Sequence, residues 1–466
     1  MPTILWWIRR DLRLHDHPAL DYALQRGRVI PVFILDEALL KNDAPYRKNF
    51  LFSGLRDLDA ELRKKGSKLV LRRGEPLVEL YRLVQETSAD EIVALEDYSP
   101  YARIRDERIA KSLPLRLFAG ETVFPPYMVV KSDGTPYTVF TPFSKAWKAL
   151  PFVSPSGLSL PERFPSIPDE ILSFPFPEAS SPEGFLPGET EAINRMERFL
   201  AGTVGQYAES RNRLDQEGTS MLSPYFRFGM LSPRMAVSRV WKLLQEPLLP
   251  EEKKGCETWL NELIWREFYI SILYHFPHVL KMAFNPALRA IEWRNASNEL
   301  EAWKAGMTGY PVVDAAMRQL RATGWMHNRA RMIVASFLSK DLLINWQEGE
   351  HWFMQWLIDG DPASNNGGWQ WTAGVGTDAA PYFRIFNPVL QSARFDPHGL
   401  YIRKWVPELR NVPEQYIHSP WTMPVSLQSS LGIHIGKDYP VPIVMHHETR
   451  TRVLEAYRKS QKTYTS

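Results

Sequence analysis

The chain has 466 residues, 44% apolar and 23% charged, with a formal net charge of +3 and one cysteine, Cys256. That length suits two or more domains with a sizeable core. The lone thiol excludes an internal disulfide and any site built from several thiolates. The charge does not mark a nucleic-acid binder by itself, although it permits a basic patch on one face.

No apolar stretch approaches a membrane span. Trp6-Trp7-Ile8 leads straight into Arg9-Arg10-Asp11 without a small-residue cleavage site. No leader, no membrane contact and a cytoplasmic location are therefore expected. Residues 1–120 alternate apolar runs with helical spacing. Residues 4–8 form the first run. Asp16 stands where a helix N-cap would, Pro18 falls in the first turn, and residues 19–25 run to a stop at Gly27. Residues 29–35 follow, then a helical stretch over 50–65 that ends at Gly66. The segments 69–71, 76–85, 92–95, 101–113 and 115–118 continue the alternation. Continuous apolar strands between helices predict a Rossmann-like α/β domain with a parallel sheet covered on both faces. Ligands on such sheets sit beyond the carboxyl ends of the strands. No G-x-G-x-x-G follows the first strand, which weakens a dinucleotide reading.

Residues 151–190 hold nine of the 37 prolines, a composition that predicts an extended linker. From Glu189 onward the pattern is helical. Ser232-Pro233 is an N-cap and N1 pair before residues 235–244. Helical stretches follow over 258–275, 311–321, 326–343 and 352–358, with a break at Gly324. A Gly-rich loop is expected over 359–376. The chain thus divides into an α/β domain (1–130), a Pro-rich linker (131–190) and a large all-α domain (191–466).

Four segments carry candidate chemistry. In Leu260-Asn261-Glu262-Leu263-Ile264-Trp265-Arg266, the residues Glu262, Trp265 and Arg266 are spaced i, i+3, i+4 and share a helix face. Spacing alone leaves an ordinary Glu–Arg pair and a carboxylate partly buried beside an aromatic both open. In Trp325-Met326-His327-Asn328-Arg329-Ala330-Arg331-Met332, one face joins Asn328, Arg331, Met332 and Ala335. That mixture is unusual for a pure core stripe, although a core Met with solvated arginines would also give it. Arg329 projects elsewhere and suits a phosphate. Asp359-Gly360-Asp361 and Asn365-Asn366-Gly367-Gly368-Trp369-Gln370-Trp371 make a polar loop where backbone can approach a ligand; a plain helix-ending loop is the alternative. No His cluster accompanies its carboxylates, so no metal is expected. Glu217-Gly218-Thr219-Ser220-Met221-Leu222-Ser223 suits an anion but lacks the Gly and Lys of a P-loop.

Along nearly its whole length the chain resembles the photolyase/cryptochrome family, and within it the class I cyclobutane pyrimidine dimer photolyases. Trp6-Trp7-Ile8-Arg9-Arg10-Asp11-Leu12-Arg13 resembles the family's opening strand. The segments 217–223, Trp265-Arg266-Glu267-Phe268-Tyr269, Thr308-Gly309-Tyr310-Pro311, Gly324-Trp325-Met326-His327-Asn328 and 365–371 resemble its flavin-domain motifs, in the right order. The resemblance implies a light-driven DNA repair enzyme with one FAD per chain, active as the reduced anion. Excited FAD would lend an electron to the dimer, the ring would open, and the electron would return.

By that resemblance Tyr207, Thr219, Ser220, Met221 and Ser223 would hold the FAD phosphates and ribityl oxygens. Arg331, Asp359 and Asp361 would flank the isoalloxazine, with Asn365 near N5. An Arg–Asp pair beside the ring stabilises an anionic reduced flavin. Plant cryptochromes typically carry Asp at the position of Asn365, so the amide leans toward repair. Trp369, Trp346 and Trp293 match the family's electron-transfer chain, from flavin to surface. Glu262, Trp265, Asn328, Met332 and Trp371 match the pocket for cyclobutane dimers; the related (6-4) enzymes place histidines where this chain has Asn328 and Met332. Glu262 would hydrogen-bond a dimer carbonyl, and Trp265 and Trp371 would pack against a lesion flipped from the helix. Arg211, Arg266, Arg329, Arg384 and Gln391 match DNA contacts.

The N-terminal domain of this family usually holds an antenna pigment. The methenyltetrahydrofolate branch has an Asn-Glu pair where this chain reads Tyr101-Ala102-Arg103-Ile104-Arg105-Asp106. Residues 97–106 resemble the deazaflavin branch instead, which implies a pocket lined by Phe33, Asp36, Arg47 and Asp97. FMN and an empty pocket stay open. A cytoplasmic monomer is expected, associated with the nucleoid when on damaged DNA. Two rivals remain. A blue-light signalling cryptochrome usually adds a C-terminal tail, for which there is little room after Trp405. A nucleotide-binding α/β enzyme acting on adenylates leaves unexplained the part beyond residue 240, which holds most of the 16 tryptophans.

Overall fold

The computed structural model describes residues 1–155, 161–168 and 170–465. Residues 156–160 and 169 of the expected Pro-rich linker lie outside the described residues. The chain forms two compact units, each assembled from separate segments. The first comprises Met1–Ala208, Ser220–Pro277 and Ile358–Ala363; the second comprises Glu209–Thr219, His278–Leu357 and Ser364–Ser466.

In the first unit, strands β1 (Thr3–Ile8), β2 (Arg28–Leu35), β3 (Val70–Arg73), β4 (Glu91–Leu95) and β5 (Leu115–Phe118) build a sheet of order β3-β2-β1-β4-β5. All pairings are parallel. Leu5, Trp6, Ile30 and Val32 are wholly buried, because helices cover both faces; that is why these strands read as unbroken apolar runs. The strand order reverses at β1. The loops after β1 and β4 therefore part, and a crevice opens at their carboxyl ends.

Helices α1 (Pro18–Arg26), α2 (Pro45–Lys64), α3 (Pro76–Thr87) and α4 (Pro100–Ala110) alternate with the strands. Each starts with a proline, where a missing N–H costs no helical bond. The expected α/β alternation is present, but Asp16 is not the first N-cap. Asp16 takes φ 49°, and its carboxylate accepts bonds from Ser232 and Arg234 instead. His17 takes over as cap, with Nδ1 accepting the Leu20 N–H at 3.2 Å.

A helix absent from the sequence reading, α5 (Phe140–Ala149), lies within the expected linker. Phe143 and Trp147 are buried. With Phe140 they make an i, i+3, i+7 stripe, which the nearby prolines obscured. Helix α6 (Pro233–Leu244) starts as expected, with Ser232 Oγ accepting the Met235 N–H at 3.3 Å. Helix α7 (Pro250–His275) has 26 residues and packs against α5 and α6.

The second unit is helical. It contains α8 (Pro311–Thr323), α9 (Asn328–Ser336), α10 (Trp346–Trp356), most of α11 (Pro362–Ala373), α12 (Pro388–Phe395) and α13 (His446–Thr465). They enclose one apolar cluster running from Leu214 to Tyr457. Helix α8 stops at Gly324, whose φ of 69° serves the break expected there.

The expected Gly-rich loop over 359–376 is a correction: most of it is helix α11. Pro362 opens the first turn, and Asp361 Oδ1 caps it by accepting the Ala363 N–H at 3.0 Å. Asn365-Asn366-Gly367-Gly368 is poor helix sequence. Tertiary bonds offset this. Asn366 Nδ2 and Gln370 Nε2 both donate to the Val279 carbonyl, at 3.0 and 2.9 Å, and Gln370 Nε2 also donates to Asn366 Oδ1 at 3.0 Å. Trp369 and Trp371 still face different ways, because two helical positions differ by about 200°.

Candidate functional site

In the first unit, arginines grip the turn Asp359-Gly360-Asp361. Arg10 Nη2 donates to Asp361 Oδ2 at 2.6 Å. Its Nη1 lies 3.0 Å from Glu121 Oε1 and 3.6 Å from Asp97 Oδ1. Arg227 Nε donates to the Gly360 carbonyl at 2.7 Å. Burial lowers Arg227 to about 9, aided by repulsion from Arg10. Burial likewise lowers Arg47 to about 10, against the attraction of Asp359 and Asp361. Burial raises Asp97, but Arg10, Arg9 and Arg105 together hold it below its usual range. Thus Asp361, expected beside the flavin, and Asp97, expected beside the antenna, share one arginine. Arg47, also an antenna residue by resemblance, feels the charge of the Asp359–Asp361 turn.

Phe33 and Asp36 stand at the carboxyl end of β2, and Asp97 stands just after β4. Asp97 thus lies at the β1/β4 switch point, where the doubly wound rule places a ligand, whereas Phe33 and Asp36 lie one strand away. Asp36 Oδ1 accepts the Ala38 N–H at 3.0 Å, and Oδ2 accepts the Tyr101 hydroxyl at 2.5 Å. Burial and then Asp36 push Tyr101 up to about 12.

Glu262, Trp265 and Arg266 are half-buried on α7. Trp265 lies flat on Phe140 of α5, with centroids 3.7 Å apart and planes 4° apart. Arg266 Nη1 donates to the Glu121 carbonyl at 3.1 Å, so a side chain expected on DNA also ties α7 to the loop after β5. Tyr207 is buried edge-on to Phe199, 5.6 Å away. Ser220 is half-buried and Ser223 exposed. Met221 takes φ 49°, a conformation side chains rarely adopt and one that collects at functional turns.

Glu267 had no role in the sequence reading. The signal was available: it is a charge on the apolar stripe 260-263-264-267-271. The side chain is buried. It accepts the Val123 N–H at 2.5 Å, the Trp147 Nε1–H at 2.7 Å and the Phe124 N–H at 3.4 Å. Burial outweighs these donors and pushes the carboxyl up to about 7. Replacing Glu267 with Ala strands the three donors and should lower the unfolding free energy by about 2–4 kcal/mol in urea. The folded pKa lies above the unfolded value of 4.5. The native protein should therefore lose stability from this group as pH rises from about 4.5 through about 7, and the variant should lack that slope. Equal slopes for the two proteins would refute the assignment.

In the second unit, Asn365 is half-buried on α11, and its Nδ2 donates to the Glu350 carbonyl at 3.0 Å. One turn on, a Cβ at Gly368 would meet nothing within 4 Å, so this face of α11 opens on space. Trp369, four residues after Asn365, is buried. It packs on Gly349, where a Cβ would lie 2.0 Å from the indole. It meets Phe353 and Trp303 edge-on at 5.0 and 6.1 Å. Trp346 is buried as well; Trp293 is half-buried and edge-on to Tyr457 at 6.1 Å. Trp303, which sequence reasoning did not single out, is the further buried tryptophan beside Trp369.

Asn328 opens α9 and is exposed, with Arg331 and Met332 half-buried a turn later. Arg331 Nε donates to the Met326 carbonyl at 2.8 Å. Arg329 Nη2 donates to Asn212 Oδ1 at 2.6 Å, and its guanidinium lies 4.5 Å over Phe395. Burial, then Arg211 and Arg394, lower Arg329 to about 10. Burial, then Arg329, Arg331 and Arg211, lower His327 to about 4. Positive charge therefore gathers around Arg211, Arg329, Arg331 and Arg394. Arg394 was missed in the sequence because nothing in its neighbourhood forms a motif. Arg384 is exposed, and Thr219, Trp371 and Gln391 are half-buried.

The residues fit a flavin. An amide beside open space on α11 suits a planar heteroaromatic ring, and the buried Trp369 Nε1 has no protein hydrogen-bond partner among the described residues. No group of three His, Cys, Asp or Glu side chains is arranged to hold a metal ion among the described residues, and no described helix is long and apolar enough to cross a membrane.

Comparison with known proteins agrees. Residues 4–165 match the family model for DNA photolyase, and residues 259–459 match that for the FAD binding domain of DNA photolyase. The deoxyribodipyrimidine photo-lyase of Escherichia coli is 40% identical over 479 residues, covering 99% of this chain and 100% of its own. A bacterial class III photolyase from Agrobacterium tumefaciens has the same fold, with a TM-score of 0.90 and 36% identity, covering 99% of this chain and 98% of its own. A cryptochrome from Synechocystis follows at 0.86 and 32%, covering 98% and 99%. The chain belongs to the DNA photolyase family, and its helical part is that family's FAD-binding domain.

Proposed function

We infer that this protein is a light-driven DNA repair enzyme that splits cyclobutane pyrimidine dimers. The observation that carries the reading is the α7 face, where Glu262 and Trp265 stand half-buried a turn apart with the indole held flat by Phe140. Reduced FAD, when bound and excited, supplies the electron lent to the dimer.

The chain's own groups do the rest. Tyr207, Thr219, Ser220, Met221 and Ser223 bind the phosphate and ribityl part of FAD. Arg331, Asp359 and Asp361 would flank the ring and favour negative charge on it, and Asn365 would be the amide beside it. Glu262 hydrogen-bonds a dimer carbonyl. Trp265, Trp371, Asn328 and Met332 exclude water from the flipped lesion. Trp369, Trp346 and Trp293 carry electrons inward. The test is dimer-containing DNA under blue light with pre-reduced protein; FAD bound without base restoration would sink the reading. Likeness to the cryptochrome fold favours one second reading, a blue-light signalling flavoprotein. Light-driven reduction without repair in the same assay would select it.

Arg211, Arg266, Arg329, Arg384 and Gln391 contact DNA, and Arg394 joins them. Replacing Arg394 with Ala should weaken binding of damaged and undamaged DNA alike by a few-fold and reduce the salt slope by about 1. Anisotropy titrations at several salt concentrations measure this, and an unchanged slope removes Arg394 from the interface.

Residues 1–130 are proposed as the antenna domain, 131–190 as the linker and 191–466 as the catalytic domain, in a cytoplasmic monomer that joins the nucleoid when on DNA. A deazaflavin in the pocket of Phe33, Asp36, Arg47 and Asp97 is the favoured antenna. Its support is the resemblance of residues 97–106 to the deazaflavin branch, with Asp97 at the β1/β4 switch point. Pigments released on denaturation will decide between deazaflavin, FMN and folate.

A further inference from the structure

We propose that Arg10 is a positioning residue for the flavin, holding the Asp359-Gly360-Asp361 turn in the shape that receives it. The proposal rests on the photolyase reading and adds a residue to it. Arg10 lies two residues beyond β1, the strand paired on both sides. Its backbone is pinned from α6's side of the unit: the Leu12 N–H donates to the Phe228 carbonyl at 3.0 Å, and a Cβ on Gly229 would lie 2.1 Å from the Arg10 carbonyl. The base of the side chain is thus tied to the segment that precedes α6.

The guanidinium works as a fork. Glu121 and Asp97 hold one nitrogen at 3.0 and 3.6 Å, and the other donates to Asp361 at 2.6 Å. The remaining oxygen of Asp361 caps α11 through the Ala363 N–H at 3.0 Å. Arg227 pulls the Gly360 carbonyl in the same neighbourhood, at 2.7 Å. A continuous set of polar contacts therefore runs from β1 through Arg10 and Asp361 to the first turn of the helix that carries Asn365. Buried ion pairs contribute little net stability, because desolvation cancels most of their attraction. Their use here is geometric: they settle where the turn's carboxylates and carbonyl point before any ligand arrives. Lysine offers one charge centre without the planar fork and cannot serve three acceptors at these angles.

The test compares Arg10→Gln, Arg10→Lys and the double variant Arg10→Gln/Glu121→Gln with wild type. The readouts are the FAD dissociation constant, from reconstitution of apoprotein, the visible flavin spectrum and the melting temperature. Arg10→Gln should raise the FAD dissociation constant about tenfold or more, as loss of outer-shell support does elsewhere, and blur the flavin bands. Arg10→Lys should melt close to wild type yet recover only part of the affinity. The double variant leaves fewer stranded carboxylates, so it should regain melting temperature but not FAD affinity. If the double variant regains both, Arg10 merely balances charge and the proposal fails. Unchanged FAD affinity in Arg10→Gln also overturns it and leaves the photolyase reading intact. Wild-type protein that binds no FAD overturns that reading and this proposal together.

Discussion

Phenylalanine in place of Trp369 will reduce light-driven reduction of the oxidised protein to background and leave repair by pre-reduced protein near the wild-type rate. The indole is buried, edge-on to Phe353 and Trp303, against a glycine that makes room for it. A smaller aromatic keeps most of that packing. The lost volume costs about 1–2 kcal/mol, and the indole N–H it removes has no protein partner among the described residues. What changes is chemistry: a phenyl ring is much harder to oxidise than an indole, so the inward flow of electrons stops at its first step. Repair does not use that flow once FAD is reduced. Flavin absorbance under blue light with an external donor measures the first activity, and dimer removal by pre-reduced protein measures the second. Equal loss of both would make Trp369 a packing residue.

Trp265→Ala will weaken binding to dimer-containing DNA much more than binding to undamaged DNA. Base–aromatic stacking is worth about 1–3 kcal/mol, so the loss should be roughly 5- to 150-fold. Phe140 occupies one face of the indole. Together with Phe268 and Tyr269, each 5.5 Å from the indole, it holds the half-buried ring at a set angle beforehand, which lowers the entropy cost of binding. Phe140→Leu should therefore weaken dimer binding in the same direction but less, with Trp265 still present. The control is binding of undamaged duplex. If both affinities fall together, Trp265 serves only to hold α5 on α7.

The α/β alternation was legible because parallel strands buried on both faces must be apolar throughout. In the second unit α8, α9 and part of α10 were legible for the matching reason, an apolar helical stripe, which Gly324 ends in α8. Helix α11 was not. Asn365-Asn366-Gly367-Gly368 has the local preference of a turn, and the bonds that overrule it run to Val279, 87 and 91 positions away. Helix α5 hid beside a run of prolines. For the site, motif resemblance supplied the individual residues. What it could not supply was who holds them: Phe140 behind Trp265, Glu350 on Asn365, Arg10 and Arg227 on the Asp359–Asp361 turn. Phe140, Glu350 and Arg227 lie outside every motif, and Arg10, although inside the opening-strand motif, stands 351 positions from the aspartate it holds, so no local pattern exposes the pairings.

The bond from Arg10 to Asp361 joins positions 351 residues apart. On the ribosome that separation is a delay. At about 5–20 residues per second, roughly 20–70 seconds pass between synthesis of the two partners. In that interval the sheet can form and the arginine can meet Asp97 and Glu121, but the turn it is to hold does not yet exist. The core of the second unit closes later still, when the Tyr457 hydroxyl reaches the Ala373 carbonyl at 2.6 Å. Capture of the flavin by this turn therefore waits until synthesis has passed Asp361 and the second unit has begun to close.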